Sequence, residues 1–313
     1  MMKTRYRQLS FLAVLFILYT AICHFMPEAH FPSTLNSLRY GIWAGFVFLL
    51  LNLLMMERIK HNLLRLSLSF ALACTVLALT FTLPAYLRQS LPNAAPQADK
   101  LRILSMNINV SLSRTESDIA HKLSTIDAVQ ADLVVILEST PLFQRSTAEK
   151  LKQNYPHQHT VMGLNAHPTT VLSKFPLSYI HTLDNTSVQY TVNTPQLGDI
   201  TLIAAHPIPP ITPSMHRHRN ISLKNMALLH ENTPLIIAGD FNTVYWDPAF
   251  KGLLNAKNLK TTDAPVGTWL SAIPAVPLDY ILVPNHYDVI NKGFVIVDKS
   301  DHFAIWADVA PHS

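Results

Sequence analysis

Long apolar runs fill the first quarter of the chain, and short apolar runs broken by polar residues fill the rest. The long runs cover residues 9–26, 40–56 and 66–87, and none contains Asp, Glu, Lys or Arg. At about 1.5 Å of rise per residue, roughly 17–25 apolar residues cross about 30 Å of hydrocarbon. The third run is 22 residues without a charge, which is hard to place inside a globular core. Three transmembrane helices are therefore expected within residues 1–88. A cleaved leader is disfavoured for the first run, because it ends in bulky Cys23, His24, Phe25 and Met26 and no small-residue cleavage site follows. Pro84, Pro92 and Pro96 mark a linker, taken as residues 89–100. A single folded domain is expected over 101–313.

Within that domain the periodicity changes. Residues 101–108, 133–137, 200–205, 235–238, 280–283 and 294–297 are short apolar runs, the pattern of buried strands. Residues 116–130 carry Ile119, Leu123 and Ile126 at helical spacing, and 215–230 and 247–256 also read as helices. Buried strands with helices between them imply sheets covered by helices.

Charge separates the two parts. Residues 1–99 hold 8 Lys+Arg against 3 Asp+Glu, whereas residues 100–313 hold 16 against 17. The basic character thus belongs to the anchor, and the domain shows no excess of positive charge for nucleic acid. Both cysteines, Cys23 and Cys74, lie in apolar runs. The domain has none, which excludes a disulfide framework or a cysteine zinc site there and suits an oxidising compartment. Basic flanks set the orientation. Lys3, Arg5 and Arg7 precede the first run, Arg39 alone lies in the first loop, and Arg58, Lys60 and Arg65 lie around the second. That order reads inside, outside, inside. The chain is expected to be an integral, multi-pass membrane protein with its domain on the extracytoplasmic side, the periplasm if the cell is bacterial.

Polar residues recur where the apolar strands end or begin: Asn107, Glu138, His206, Asp240 with Asn242, Asp279, and Asp301 with His302. Each alone has an ordinary reading as a solvated loop residue or a turn former. Together they suggest one rim of a sheet, where ligands commonly bind.

The motifs Met106-Asn107-Ile108, Val135-Ile136-Leu137-Glu138, Thr170-Val171-Leu172-Ser173-Lys174-Phe175-Pro176-Leu177, Ala205-His206, Gly239-Asp240-Phe241-Asn242, Thr268-Trp269, Leu278-Asp279-Tyr280-Ile281 and Ser300-Asp301-His302 occur in this order. In them the chain resembles the endonuclease/exonuclease/phosphatase superfamily, over residues 101–309, and the whole looks like its membrane-anchored branch. The resemblance implies a four-layer αββα sandwich. It also implies hydrolysis of phosphodiesters or phosphomonoesters with Mg²⁺, or Mn²⁺ in its place. By resemblance, Glu138 would be the main metal ligand, with Asn107 beside the metal or a phosphate oxygen and Asp301 a further metal or network carboxylate. Asp240 would orient or deprotonate water, and Asn242 would position it. Asp279 would pair with His302, whose imidazolium would stabilise charge. His206 would donate to a phosphate oxygen or the leaving group. Asn109 stands where some members carry an acid, which puts a second metal contact there in doubt.

The Pro207, Pro209, Pro210 and Pro213 stretch leads into His216-Arg217-His218-Arg219. Arg217 and Arg219 are expected to bind the non-reacting part of an anionic substrate. His157 and His159 read as ordinary surface residues, Trp269 as a motif residue or a core aromatic, and Asn52 as a hydrogen bond between membrane helices. A phosphate ester in a lipid headgroup or a small organophosphate is favoured over nucleic acid as substrate. The rivals are a nuclease and an inactive membrane receptor or scaffold. No segment points to a protein partner.

Overall fold

The computed structural model describes residues 2–26, 28–55, 59, 62–77, 79, 90–92, 99–162, 167–184, 186–263, 267–270 and 276–312. Its first helices are α1 (Met2–Phe25), α2 (His30–Ser37), α3 (Arg39–Met55) and α4 (Asn62–Leu77). Of the described residues, one helix, Arg7–Phe25, is long and apolar enough by itself to cross a membrane. Helix α2 with residues Arg39–Leu54 passes the same test only as a pair bent by 64°. Leu64–Val76 is a shorter apolar helix. The rest of the expected third span, residues 78 and 80–87, lies outside the described residues, as do most of the linker and the flanking Arg58 and Lys60. Asn52 Nδ2 donates to Ser69 Oγ at 2.7 Å, which joins α3 to α4.

Helix α2 falls where the sequence suggested a plain loop. Pro32 stands in its first turn, where a missing N–H has no intrahelical partner to lose.

The domain is built on two six-stranded sheets. The strands are β1 (Leu101–Asn107), β2 (Leu133–Leu137), β3 (His157–Val161), β4 (Thr169–Ser173), β5 (Leu177–Leu183), β6 (Ser187–Thr194), β7 (Gly198–Ala205), β8 (Leu235–Asp240), β9 (Leu259–Thr261), β10 (Asp279–Pro284), β11 (Tyr287–Ile296) and β12 (Phe303–Pro311). One sheet runs β11-β12-β1-β2-β4-β3, the other β5-β6-β7-β8-β10-β9. Helices α5 (Glu116–Val129) and α6 (Pro141–Lys150) cover the first sheet, and α7 (Pro213–Leu228) and α8 (Pro248–Lys257) the second.

Successive strand residues point to opposite faces, so a strand covered on both faces must be apolar throughout. Leu133, Val135 and Leu137 face the second sheet and pack with Val188, Tyr190, Ile200 and Leu202. The alternate residues Val134 and Ile136 face outward onto Ile119, Leu123 and Phe143. Ile203, Ala205 and Ile237 meet Leu223, Met226 and Phe250 on the far side. Burying each of the Val, Leu, Ile, Met and Phe side chains among these stabilises the fold by about 1.5–3 kcal/mol. These three apolar layers separate helix, sheet, sheet and helix, in agreement with the expected αββα order.

Each sheet contains one parallel pair with a helical crossover. Helix α5 links β1 to β2, and α7 links β7 to β8. Parallel strands leave at the same end. Asn107 therefore aligns with Leu137, and Ala205 with Gly239. A Cβ at Gly239 would sit 1.9 Å from the Ala205 carbonyl oxygen, so the close approach of β7 and β8 requires glycine before Asp240. Antiparallel β10 and β12 begin at this same rim. Asp279 pairs with Asp240, and β12 starts one residue after His302.

Candidate active site

The two parallel pairs bring their polar ends together. Asn107, the last residue of β1, donates from Nδ2 to Glu138 Oε1 at 3.1 Å and to Asp240 Oδ2 at 3.2 Å. One buried amide thus ties the first sheet to the second. His206 Nε2 lies 3.9 Å from Glu138 Oε1 and 4.0 Å from Asp240 Oδ2. His302 Nε2 lies 3.8 Å from Asp240 Oδ2, and its Nδ1 bonds Asp279 Oδ2 at 2.8 Å. The structure therefore places Asn107, Glu138, His206, Asp240, Asp279 and His302 in one continuous cluster.

Local backbone aims these groups. Glu138 (φ 59°) and Asn242 (φ 48°) adopt left-handed conformations, which cost on the order of 1–3 kcal/mol each in a non-glycine residue. For Glu138 the turn directs Oε2 onto the Val110 N–H at 3.0 Å. The Asn242 N–H donates to Asp240 Oδ1 at 2.9 Å, and its Nδ2 donates to the Pro207 carbonyl at 2.9 Å. Ser300 Oγ donates to the Asn107 carbonyl at 2.7 Å and accepts from the His302 N–H at 3.1 Å. Thr268 Oγ1 accepts from the Asp279 N–H at 3.1 Å.

Electrostatics differ sharply between the two histidines. Burial depresses His206, which is therefore neutral near pH 7. Burial would also depress His302, but the Asp279 and Asp240 carboxylates outweigh it and lift the imidazole to about 10. His302 is thus a standing cation. Burial pushes the Asp240 carboxyl up from its ordinary value, against the pull of His302.

A divalent cation fits this donor set. Glu138, Asp240 and Asp279 crowd three carboxylates beside one imidazolium. Asp279 Oδ1 is buried with no hydrogen-bond partner among the described residues. Ligand atoms of Asp240, Asp279 and His302 all lie within 4.8 Å of one another. Surplus negative charge on hard oxygen donors suits a cation such as Mg²⁺. His302 Nδ1 is committed to Asp279, and Glu138 has the more open carboxylate, with 19% of its side chain exposed. Glu138 is therefore the better seat.

Other expected residues are placed differently. Both oxygens of Asp301 accept bonds, from Asn109 Nδ2 at 2.7 Å and Trp269 Nε1 at 3.0 Å. That is the network role, and it gives Asn109 and Trp269 work at the site. Arg217 is exposed on α7. Arg219, expected to grip substrate, turns inward instead. It is 1% exposed, and its Nη2 meets Asp247 Oδ2 at 3.0 Å. The helical spacing of His216, Arg219, Leu223 and Met226 already put it on the buried stripe. His159 is also less superficial than expected, with its Nδ1 3.2 Å from the Tyr190 hydroxyl.

His167 escaped notice in the sequence. Its Nδ1 lies 4.0 Å from Glu138 Oε2, and its ring centroid lies 6.2 Å from that of His206. Only Pro168 separates it from β4, so a polar residue just before a motif strand was the available signal.

The chain is similar in structure to an endonuclease/exonuclease/phosphatase from Beutenbergia cavernae (TM-score 0.55, 18% identity, 69% of this chain and 72% of that one). It is also similar to the human nocturnin catalytic domain with bound sulfate (0.54, 16%, 69% and 96%). A third likeness is to sphingomyelinase C from Streptomyces griseocarneus (0.52, 16%, 67% and 99%). At such identities these likenesses concern the fold. No curated protein sequence matches. The Endonuclease/Exonuclease/phosphatase family matches residues 104–302, a stretch that contains every member of the cluster from Asn107 to His302. The chain therefore belongs to the endonuclease/exonuclease/phosphatase family.

Proposed function

We propose that this protein is a membrane-tethered, divalent-cation-dependent phosphoesterase that hydrolyses a phosphodiester or phosphomonoester. The observation that carries the reading is the Glu138–Asn107–Asp240–His302–Asp279 chain of contacts, which spans both sheets at one rim. Glu138 with Asn107 would hold the cation, and Asp301 supports the site through Asn109 and Trp269. Mg²⁺ or Mn²⁺ held there would supply polarisation of the phosphoryl group and neutralisation of its charge.

The chain's own residues do the rest. Asp240 orients water and takes its proton as the water oxygen bonds to phosphorus. Burial keeps this carboxylate basic enough for the task. The Asn242 backbone N–H fixes Asp240, and its side chain helps position the water. His302, held cationic by Asp279, faces the charge that grows on the phosphoryl oxygens. His206, neutral, offers an N–H to the departing oxygen as the ester bond breaks. Arg217 contacts the non-reacting part of the substrate.

A lipid headgroup or small organophosphate suits the site better than nucleic acid. Residues 100–313 carry 16 Lys+Arg against 17 Asp+Glu, whereas a nuclease needs a basic groove. The anchor also meets the domain at rim loops, at Pro210, Trp246 and Asp247. Contacts of α2 with the domain support a topology of three crossings with both on the extracytoplasmic side. A C-terminal reporter active only in the cytoplasm would overturn that orientation.

Glu138→Gln tests the chemistry. Mg²⁺-dependent hydrolysis of bis(p-nitrophenyl) phosphate or p-nitrophenyl phosphate by the native chain should disappear in the variant. Hydrolysis that persists with unchanged metal dependence sinks the assignment of Glu138. A screen with DNA, phospholipids and sugar phosphates separates the substrate classes.

A further inference from the structure

Helix α2 belongs to the anchor in sequence, yet its Pro32 and Ser33 are buried. Ser33 Oγ donates to Asp247 Oδ2 at 3.1 Å. The same oxygen accepts from Arg219 Nη2 at 3.0 Å. Arg219 Nη1 in turn donates to the Asn242 carbonyl at 3.3 Å, and its Nε to Asn220 Oδ1 at 2.8 Å. An unbroken line of polar contacts thus runs from the anchor to a residue of the catalytic rim.

The seam around this line is closed by several independent contacts. His30 Nε2 donates to the Pro210 carbonyl at 3.0 Å. Trp246 Nε1 donates to the Asn36 carbonyl at 2.7 Å. The Arg39 guanidinium lies 3.8 Å from the Trp246 ring centroid, and Tyr40 packs edge-on against that ring at 4.8 Å. Pro210, Trp246 and Asp247 each follow a rim residue, His206 or Asn242, by four or five positions. The anchor therefore grips the loops that carry the chemistry.

Asn242 depends on such a grip. Its left-handed backbone (φ 48°) persists only where its surroundings over-determine it. Asp240 holds its N–H, Pro207 holds its side chain, and Arg219 holds its carbonyl. Arg219 is buried, and Asp247 is the carboxylate that balances it. Asp247 also caps α8 by accepting from the Ala249 N–H at 2.9 Å.

We propose that α2 is a working part of the catalytic site: through Asp247 and Arg219 it holds Asn242 in place, so the domain is fully competent only while docked on its anchor. Ser33 and Arg219 are positioning residues, and neither touches substrate. The inference rests on the reading of the rim as a phosphoesterase site.

The test uses the full chain in lipid nanodiscs. Ser33→Trp should wedge α2 off the seam and lower kcat by about tenfold or more. In an Asn242→Ala background the same substitution should lower kcat no further, because its route runs through Asn242. Ser33→Ala, which removes one hydrogen bond and no packing, should show the same dependence at about two- to fivefold. It keeps the test open if the tryptophan variant does not fold. Calorimetric binding of inorganic phosphate with Mg²⁺ supplies a readout without turnover. Affinity should fall in Ser33→Ala and not fall further in the double variant.

Native kcat and phosphate affinity in both Ser33 variants would overturn the proposal. So would losses that multiply with those of Asn242→Ala. A native chain that binds phosphate but hydrolyses no ester would refute the phosphoesterase reading alone, and phosphate affinity would still decide the role of α2.

Discussion

Two clusters of buried charge sit at opposite ends of the same strands, and they are built on opposite principles. At the start of β1, Arg102 Nε and Nη2 donate to the two oxygens of Asp308 at 2.6 and 2.9 Å. Its Nη1 reaches the Val129 carbonyl at 3.1 Å. Asp132 accepts from the Arg102 N–H at 2.9 Å and from Lys174 Nζ at 3.1 Å. Each carboxylate here meets a cation, in a geometry that satisfies both of its oxygens. At the other end of β1, Glu138, Asp240 and Asp279 share one imidazolium, and Asp279 Oδ1 is without a hydrogen-bond partner among the described residues.

Burial does not separate the two clusters. Arg102 and Asp308 are 3% and 2% exposed, and Asp240 and Asp279 are 2% and 4%. Charge balance separates them. The first cluster is complete within the protein and closes the bottom of the sandwich. The second is left with surplus negative charge on hard oxygen donors, the condition that suits a bound cation.

Substitutions at the two ends should therefore fail in different ways. The largest expected effect is at the catalytic end. His302→Ala should cost about 10²–10⁴ in kcat per folded molecule, because a cation facing developing charge is lost. An unchanged kcat in steady-state assays would remove His302 from the chemistry. At the structural end, Asp308→Ala should cost about 3–5 kcal/mol of stability by leaving Arg102 as an uncompensated buried charge. Its kcat per folded molecule should stay native. Denaturant titration measures the first quantity, and a fall in kcat would show that the two clusters are coupled.

Metal sharpens the contrast further. Mg²⁺ at about 100 times its Kd should stabilise the native chain by about 2.7 kcal/mol. Asp308→Ala should keep that gain, and Glu138→Gln should lose it, as melting with Mg²⁺ or EDTA would reveal. A gain that survives in Glu138→Gln puts the cation elsewhere. The smallest effect is expected at Lys174, whose side chain is 31% exposed beside Asp132. Lys174→Ala should cost under about 1 kcal/mol, because solvent screens the pair. A loss above about 2 kcal/mol would mean that the structural cluster is cooperative beyond its pairwise contacts.

Much of the sandwich was legible from burial pattern. β2 matches its expected run, Leu133–Leu137, because a strand covered on both faces is apolar at every position. The edge strands β3, β5 and β9 were not legible. His157–Val161 and Leu177–Leu183 are half solvated, and the three residues Leu259–Thr261 are too short to show a period. Helix α6 was missed because Pro141–Lys150 is mostly polar and contributes little more than Phe143 and Thr147 to the interior. At the site, Asn107, Glu138, His206, Asp240, Asp279 and His302 stood out because each adjoins an apolar strand. His167 and the inward turn of Arg219 did not.

What the sequence determined by itself was the local alphabet: long apolar runs, doubly buried strands, and polar residues at their ends. Those follow from hydrophobic period and residue chemistry, which act over a few neighbours. Only the tertiary structure decided which ends share a rim, that Arg219 serves Asp247 and not the substrate, and that α2 seats on the catalytic loops. These depend on contacts such as Ser33 with Asp247, 214 residues apart, and no local pattern encodes a partner at that distance.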